Sequence, residues 1–234
     1  MPQFPHPLPL GGLLAVLCLG LSPLSTPATP ANSLASLFQD QTQLQNNEEE
    51  EKIPPTRGAG TRPGKCGSES IRGEVFPLTP SSNLQTTASP HPSLYLYLPT
   101  IENQQATFWV LDETETIIYE TEFTLSNEAG ILQIPFPEDV TLDPDTIYKW
   151  GFFIHCDPEN RELDEAVMGW MTYTEIAPPP SNEPLQQAEY YGQAGIWQQT
   201  LELLLQLRNR QPDIWQEFLE AAELGAYRDA PRIN

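Results

Sequence analysis

LDPDTIYKWGFFIHCDPENRELDEAVMGWMTYTEI, residues 142–176, sets two apolar, aromatic-rich runs on either side of a charged loop. The first run carries L-x-P-D-T-x-Y-x-W-x-F. Two-sheet domains use this pattern to pass from one sheet to the next: a Leu fills the core, a Pro-Asp turn reverses the chain, and a Tyr opens the following strand. On that reading Tyr148 is a tyrosine corner, its hydroxyl bonded to backbone near Leu142. Trp150 and Trp170, with Trp109, then belong in or near the core. Two residues after Tyr148 stands Trp150, where antibody domains carry a cysteine, so the antibody family itself is not indicated.

Outward from this stretch, short β-like runs recur near 72–78, 93–98, 106–112, 116–124 and 130–136, before the two at 146–156 and 166–176. Turn signals separate them, and alternation is clear in Ile117, Tyr119, Thr121, Phe123 and Leu125. Seven short strands without helical pattern between them predict an all-β, immunoglobulin-like antiparallel sandwich over 71–176. The APPPSNEP segment at 177–184 is a linker, since prolines at this density suit neither helix nor interior strand. After it the period lengthens to 3–4 residues, predicting helices over 184–193, 196–209 and 212–224. Gly195, Trp197, Thr200, Leu201, Leu204 and Leu207, followed by Pro212, resemble the second helix of a tetratricopeptide repeat. One repeat plus one helix falls short of the three or so a solenoid needs. The expectation is a tetratricopeptide-like helical appendage at 185–226 with a tail at 227–234, its Trp–Leu face buried on the sandwich or on itself.

The chain has 234 residues, 39% of them hydrophobic, and a formal charge of −21. Residues 93–177 hold seventeen acids against Lys149 and Arg161, a net of −15. A binder of nucleic acid or of an anionic membrane should have the opposite sign of field, so no nucleic-acid partner is expected. Residues 1–35 have no charged side chain, and Leu10–Leu21 is an apolar run of 12. A membrane span needs about 20 residues, so this run reads as the core of a secretory signal, with no span left after cleavage. Its n-region lacks the usual Lys or Arg. Leu17 before Cys18 does not suit a lipid-attachment site. Export is expected. Residues 36–70, with the run Glu48–Glu51 and then Arg57, Arg62 and Lys65 among glycines, read as a disordered acidic and basic arm.

Few residues carry recognisable chemistry. Beyond the signal only His91 and His155 remain, and His155 and Cys156, adjacent on a strand, point to opposite faces. No G-x-S-x-G and no zinc ligand set is present. Asp157, Glu159, Glu162, Asp164 and Glu165 crowd one loop. A calcium loop of the EF type wants Gly where Glu162 stands, and Arg161 interrupts its ligand spacing. A glycosidase pair wants carboxylates from separate strands facing a cleft. The loop therefore reads as a solvated hairpin tip, and no catalytic residue, cofactor or metal ligand is assigned.

Several motifs taken together resemble a known family. They are R-G-x-G-x-R…K-C-G (57–67), T-F-W-V (107–110), I-Y-E-T-E-F-T-L, and Y-K-W-G-F-F-I-H-C-D-P. Gly169-Trp170 and the A-G-I-W of Ala194–Trp197 follow. From Gly58 to Leu224 the chain is similar to the domain of unknown function 928 (DUF928) family of cyanobacterial exported proteins. The resemblance transfers no catalytic residue. It implies location in the periplasm or cell envelope and the pairing of Cys66 with Cys156, the two cysteines left once cleavage removes Cys18. Two unrelated buried thiols are the alternative. The structural core residues expected are Tyr148, Trp150, Trp170, Gly195 and Trp197. The leading functional expectation is a non-enzymatic envelope protein that binds a protein partner through the sandwich or the helices. A carbohydrate-binding module is the second, favoured if Trp109, Trp170 or Tyr173 forms an exposed flat row. A hydrolase, needing two carboxylates in one pocket, is the third.

Overall fold

Ser93–Leu98 (β4) reads S-L-Y-L-Y-L, with leucines on one face and two tyrosines on the other, and the layers of the fold are stacked on its two sides. The computed structural model describes residues 71–233, apart from 73, 102, 103 and 158, together with Met1. The rest of the expected signal segment, the arm and Cys66 lie outside the described residues.

Ten further strands are present among the described residues: β1 (Ile71–Arg72), β2 (Phe76–Pro77), β3 (Leu84–Thr87), β5 (Thr100–Ile101), β6 (Gln105–Leu111), β7 (Ile117–Thr124), β8 (Gly130–Pro135), β9 (Ile147–His155), β10 (Glu165–Tyr173) and β11 (Arg232–Ile233). Three helices follow β10: α1 (Pro184–Gln193), α2 (Trp197–Leu207) and α3 (Pro212–Ala221). One sheet runs β3-β10-β9-β6-β7 and a second runs β11-β8-β4-β2, while β1 and β5 form a small pair. The chain is mostly β, in two mixed sheets that do not close into a barrel. The expectation of purely antiparallel pairing is corrected at two edges, where β3 lies parallel to β10 and β11 parallel to β8. Parallel neighbours need a long crossover, and each of these pairs is separated by most of a domain's length of chain. Pro77 sits on β2, the outermost strand of its sheet, where a missing N–H costs no ladder bond.

The facing sides of the two main sheets share one core. Leu94, Leu96 and Leu98 of β4 and Ile134 of β8 meet Phe108 and Val110 of β6, with Trp150, Phe152 and Ile154 of β9 and Met171 of β10. Leu142 is buried there, and the next residue, Asp143, donates its N–H to the Tyr148 hydroxyl at 2.9 Å. Tyr95 and Tyr97, on the other face of β4, lie under the helices. Tyr95, Ile131 and Leu78 pack with Trp197, Leu201, Leu204, Trp215 and Phe218 in a second apolar cluster. Tyr227 rests against Phe76 and Tyr97, with ring centroids 5.3 and 4.7 Å apart. The helical segment therefore buries its Trp–Leu face on the four-stranded sheet. Pro184 and Pro212 open α1 and α3, positions where a fixed φ helps and no N–H is needed. No helix among the described residues is long and apolar enough to cross a membrane.

Candidate binding site

The face of the five-stranded sheet turned away from the core carries a stacked aromatic pair and a polar cluster. Strand alternation puts Ala106, Phe108 and Val110 inward, so Thr107 and Trp109 of β6 point outward. On β9 the outward set is Lys149, Gly151, Phe153 and His155. Trp109 pairs across the ladder with Gly151, and its indole stacks on Phe153 with centroids 5.5 Å apart and planes inclined at 29°. A Cβ on Gly151 would stand 2.6 Å from Trp109 Cζ2 and 2.7 Å from Phe153 Cε2. Only glycine lets both rings lie down over the sheet. Both are partly exposed, and Glu120 and Glu122 on β7, opposite Trp109 and Thr107, are exposed beside them.

At one end of this face stands a polar cluster. His155 Nδ1 lies 3.1 Å from Asp164 Oδ2, and Arg161 Nε lies 3.0 Å from the same oxygen. The Cys156 N–H donates to Asp164 Oδ1 at 3.3 Å. Asp164 is 5% exposed, which corrects the expectation of a loop solvated throughout. Three N–H donors converge on this one carboxylate and replace its water. Glu159, Arg161 and Glu162 remain exposed. Asp157 and Asn160 accept N–H bonds from Glu159 and Glu162, at 2.9 and 3.1 Å, and so shape the loop.

With Nδ1–H directed to Asp164, His155 Nε2 is an acceptor. The Thr107 hydroxyl reaches it at 2.7 Å and Arg161 Nη2 at 3.0 Å. The order Thr–His–Asp has the connectivity of a nucleophilic triad. Its geometry serves a clasp better, because Nε2 is shared with a guanidinium and Thr107 is 7% exposed. The arrangement locks the end of the β9–β10 hairpin. Among the described residues no group of three or more His, Cys, Asp or Glu side chains is arranged to hold a metal ion. Burial raises the pKa of the neighbouring Glu165 carboxyl; the Val75 N–H opposes that shift and the Glu74 charge adds to it.

The structure places those residues singled out in the sequence that fall within the described segment, which leaves out Cys66. Trp150 is fully buried, its indole lying over Gly169 of β10, where a Cβ would be 2.3 Å from Trp150 Cζ2. Tyr148 is buried at the start of β9. Trp170 is 9% exposed and offers no flat surface ring, and Tyr173 packs against the edge of the core. Gly195 takes a positive φ of 72° in the α1–α2 turn. Its carbonyl accepts the Thr86 hydroxyl, which in turn accepts the Trp197 N–H at 3.0 Å. Trp197 donates its indole N–H to the Leu78 carbonyl at 2.9 Å. Ala194-Gly195-Ile196-Trp197 is thus the joint that fixes the helices to β3. Gly151, Phe153 and Thr107 are site residues that sequence reasoning misses. The available signal is the spacing Trp150-Gly151 and Phe153 on one strand with Trp109 on another, which only the pairing register connects.

Residues 57–232, three quarters of the chain, match the family model described as Domain of Unknown Function (DUF928). No curated protein matches the chain by sequence. Among solved structures, the crystal structure of a Parabacteroides merdae β-glucuronidase with glycerol in its active site is similar at 16% identity and a TM-score of 0.23. That likeness covers 45% of this chain and 13% of the enzyme's, and at such depth it transfers neither activity nor substrate.

Proposed function

The chain belongs to the DUF928 family, and on that premise we propose that it is a non-enzymatic, exported envelope protein that binds a protein partner through the outward face of its five-stranded sheet. The observation that carries this reading is the Trp109–Phe153 stack over Gly151, rimmed by Glu120 and Glu122. A partly exposed aromatic anchor inside a charged rim is the usual make-up of a protein contact. The negative field of residues 93–177 selects a partner with a basic surface. The helices' apolar faces are already consumed in the second cluster, which directs binding to the other side. Export rests on the apolar run Leu10–Leu21, and the Cys66–Cys156 pair is part of the same proposal.

We read the two-sheet arrangement as immunoglobulin-like. Strands β2, β4 and β8 stand in the order of A, B and E, facing β10-β9-β6-β7 in the order G, F, C and C′. The hydrogen bond from the Asp143 N–H to Tyr148, at the start of the F-like strand, supports that layout. Carbohydrate binding is the second reading, favoured by the same stacked pair, since sugar rings also lie on aromatic faces.

The test uses the mature protein as bait in a native envelope extract, beside the Trp109→Ala and Phe153→Ala variants. Wild type should capture a defined protein that both variants lose, with unchanged circular dichroism. Capture that survives both substitutions sinks the reading. Retention of wild type by immobilised envelope polysaccharide, lost in Trp109→Ala, would move the assignment to carbohydrate.

A further inference from the structure

A cleft of about 500 Å³ opens where the end of α2, the start of α3 and the C-terminal segment meet. Arg208, Pro212, Trp215, Gln216, Arg228 and Asp229 are among its lining residues. Two arginines against one acid make it locally positive, in a chain whose 32 acids outnumber its 11 bases.

Both arginines are held in place by bonds that, among the described residues, leave most of their donors unused. Arg208 follows the last turn of α2 and donates Nη1 to the Ala230 carbonyl at 2.7 Å, one of a guanidinium's five N–H bonds. The Trp215 indole N–H grips the Arg228 carbonyl at 2.9 Å and so fixes that backbone. Among the described residues the Arg228 side chain engages Asp229 through Nε, 3.1 Å from Oδ2. The side chains of Arg228 and Asp229 are 48% and 88% exposed. An ion pair that open is weak, and an incoming anion can exchange for the Asp229 carboxylate at little loss. Pro212 starts α3 at the cleft wall, and the positive end of this ten-residue helix is shared with Asp213 in its first turn.

We infer that this cleft binds an oxyanion group, a carboxylate or a phosphate, of a small ligand. Planar, permanently charged guanidinium forks match such groups two bonds at a time. The site lies on the helical layer and is independent of the Trp109 face.

The test titrates the full mature protein with inorganic phosphate and, separately, with succinate, each at matched ionic strength in sodium chloride. The Trp215 indole N–H resonance, beside the cleft, is the reporter. A saturable shift with either anion, absent with chloride, is expected. Arg228→Gln should weaken it about tenfold, the scale of one charge-assisted contact. Asp229→Asn, which removes the competing carboxylate, should tighten it several-fold, and Trp109→Ala should leave it unchanged. Saturation with one anion alone names the oxyanion class. No saturable shift with either, or one indifferent to both Arg228→Gln and Asp229→Asn, overturns the site. Arg208 is left intact because it also ties down the C-terminal segment.

Discussion

Two glycines show how single residues set this architecture. Trp109 lies over Gly151 on the outward face, and Trp150 lies over Gly169 in the core. In both pairs an indole occupies the space a cross-strand side chain would fill. The consequences of adding a methyl group differ, because the surroundings differ. Trp150 is fully buried, so its ring cannot tilt into solvent to make room. Gly169→Ala should therefore cost about 1–3 kcal/mol, the usual range for overpacking a core. Trp109 and Phe153 are partly exposed and can tilt into solvent. Gly151→Ala should lower the unfolding temperature less, yet abolish partner binding. Thermal unfolding of the two variants beside wild type decides it, and equal losses of stability would refute the distinction. Gly169-Trp170 stands out in the sequence as a specific pair. The register shows that Gly169 serves Trp150 on the neighbouring strand, a relation no linear spacing reveals.

Among the elements, strands with regular alternation are legible from the sequence alone, β7 and β8 above all. Strand β3 is not, since Leu84-Gln85-Thr86-Thr87 is short and pairs parallel with a strand some eighty residues later. For the charged β9–β10 loop, composition gives the right answer at Glu159 and Glu162 and the wrong one at Asp164. It cannot tell which of five carboxylates will receive three N–H donors. Glu165, next to it on β10, gives this element a pH dependence. Burial raises its folded pKa above the ordinary 4.5, so the folded state holds the proton more tightly than the unfolded chain. The stability this confers is complete below about pH 4.5 and is lost as the pH rises through the raised value. Glu165→Gln keeps an oxygen for the Val75 N–H, now 3.4 Å from Oε1, and removes the buried charge. The variant should unfold at a higher temperature than wild type at pH 8 and at the same temperature at pH 4. A difference that does not change with pH would show that the charge is not the cause.

At the scale of the whole molecule, the change of period after residue 176 reads as a boundary between a sandwich and an appendage. What joins them is also in the sequence: S-L-Y-L-Y-L gives β4 an aromatic second face, whose large ring area favours a cover. The helices supply it, and all described residues but Met1 fall in one compact unit. The proposed tie between Cys66 and Cys156 would act on the same scale. Cys156 stands just past the end of β9, where its N–H is held by Asp164. A bond there would anchor the arm bearing Arg57, Arg62 and Lys65 beside a segment of net charge −15. The two cysteines are 90 residues apart in sequence. Restricting the unfolded chain over such a loop is worth about 4–5 kcal/mol in the entropy model, and measured values commonly fall below it. Replacing both cysteines with serine should therefore cost about 2 kcal/mol and lower the unfolding temperature by about 4–8 °C in a chain of this size. Intact-mass analysis of protein exported in vivo and alkylated without reductant should find neither cysteine modified, and both modified after reduction. Two alkylated cysteines in the unreduced sample would end the proposal, and a cross-linked peptide carrying both residues would establish it.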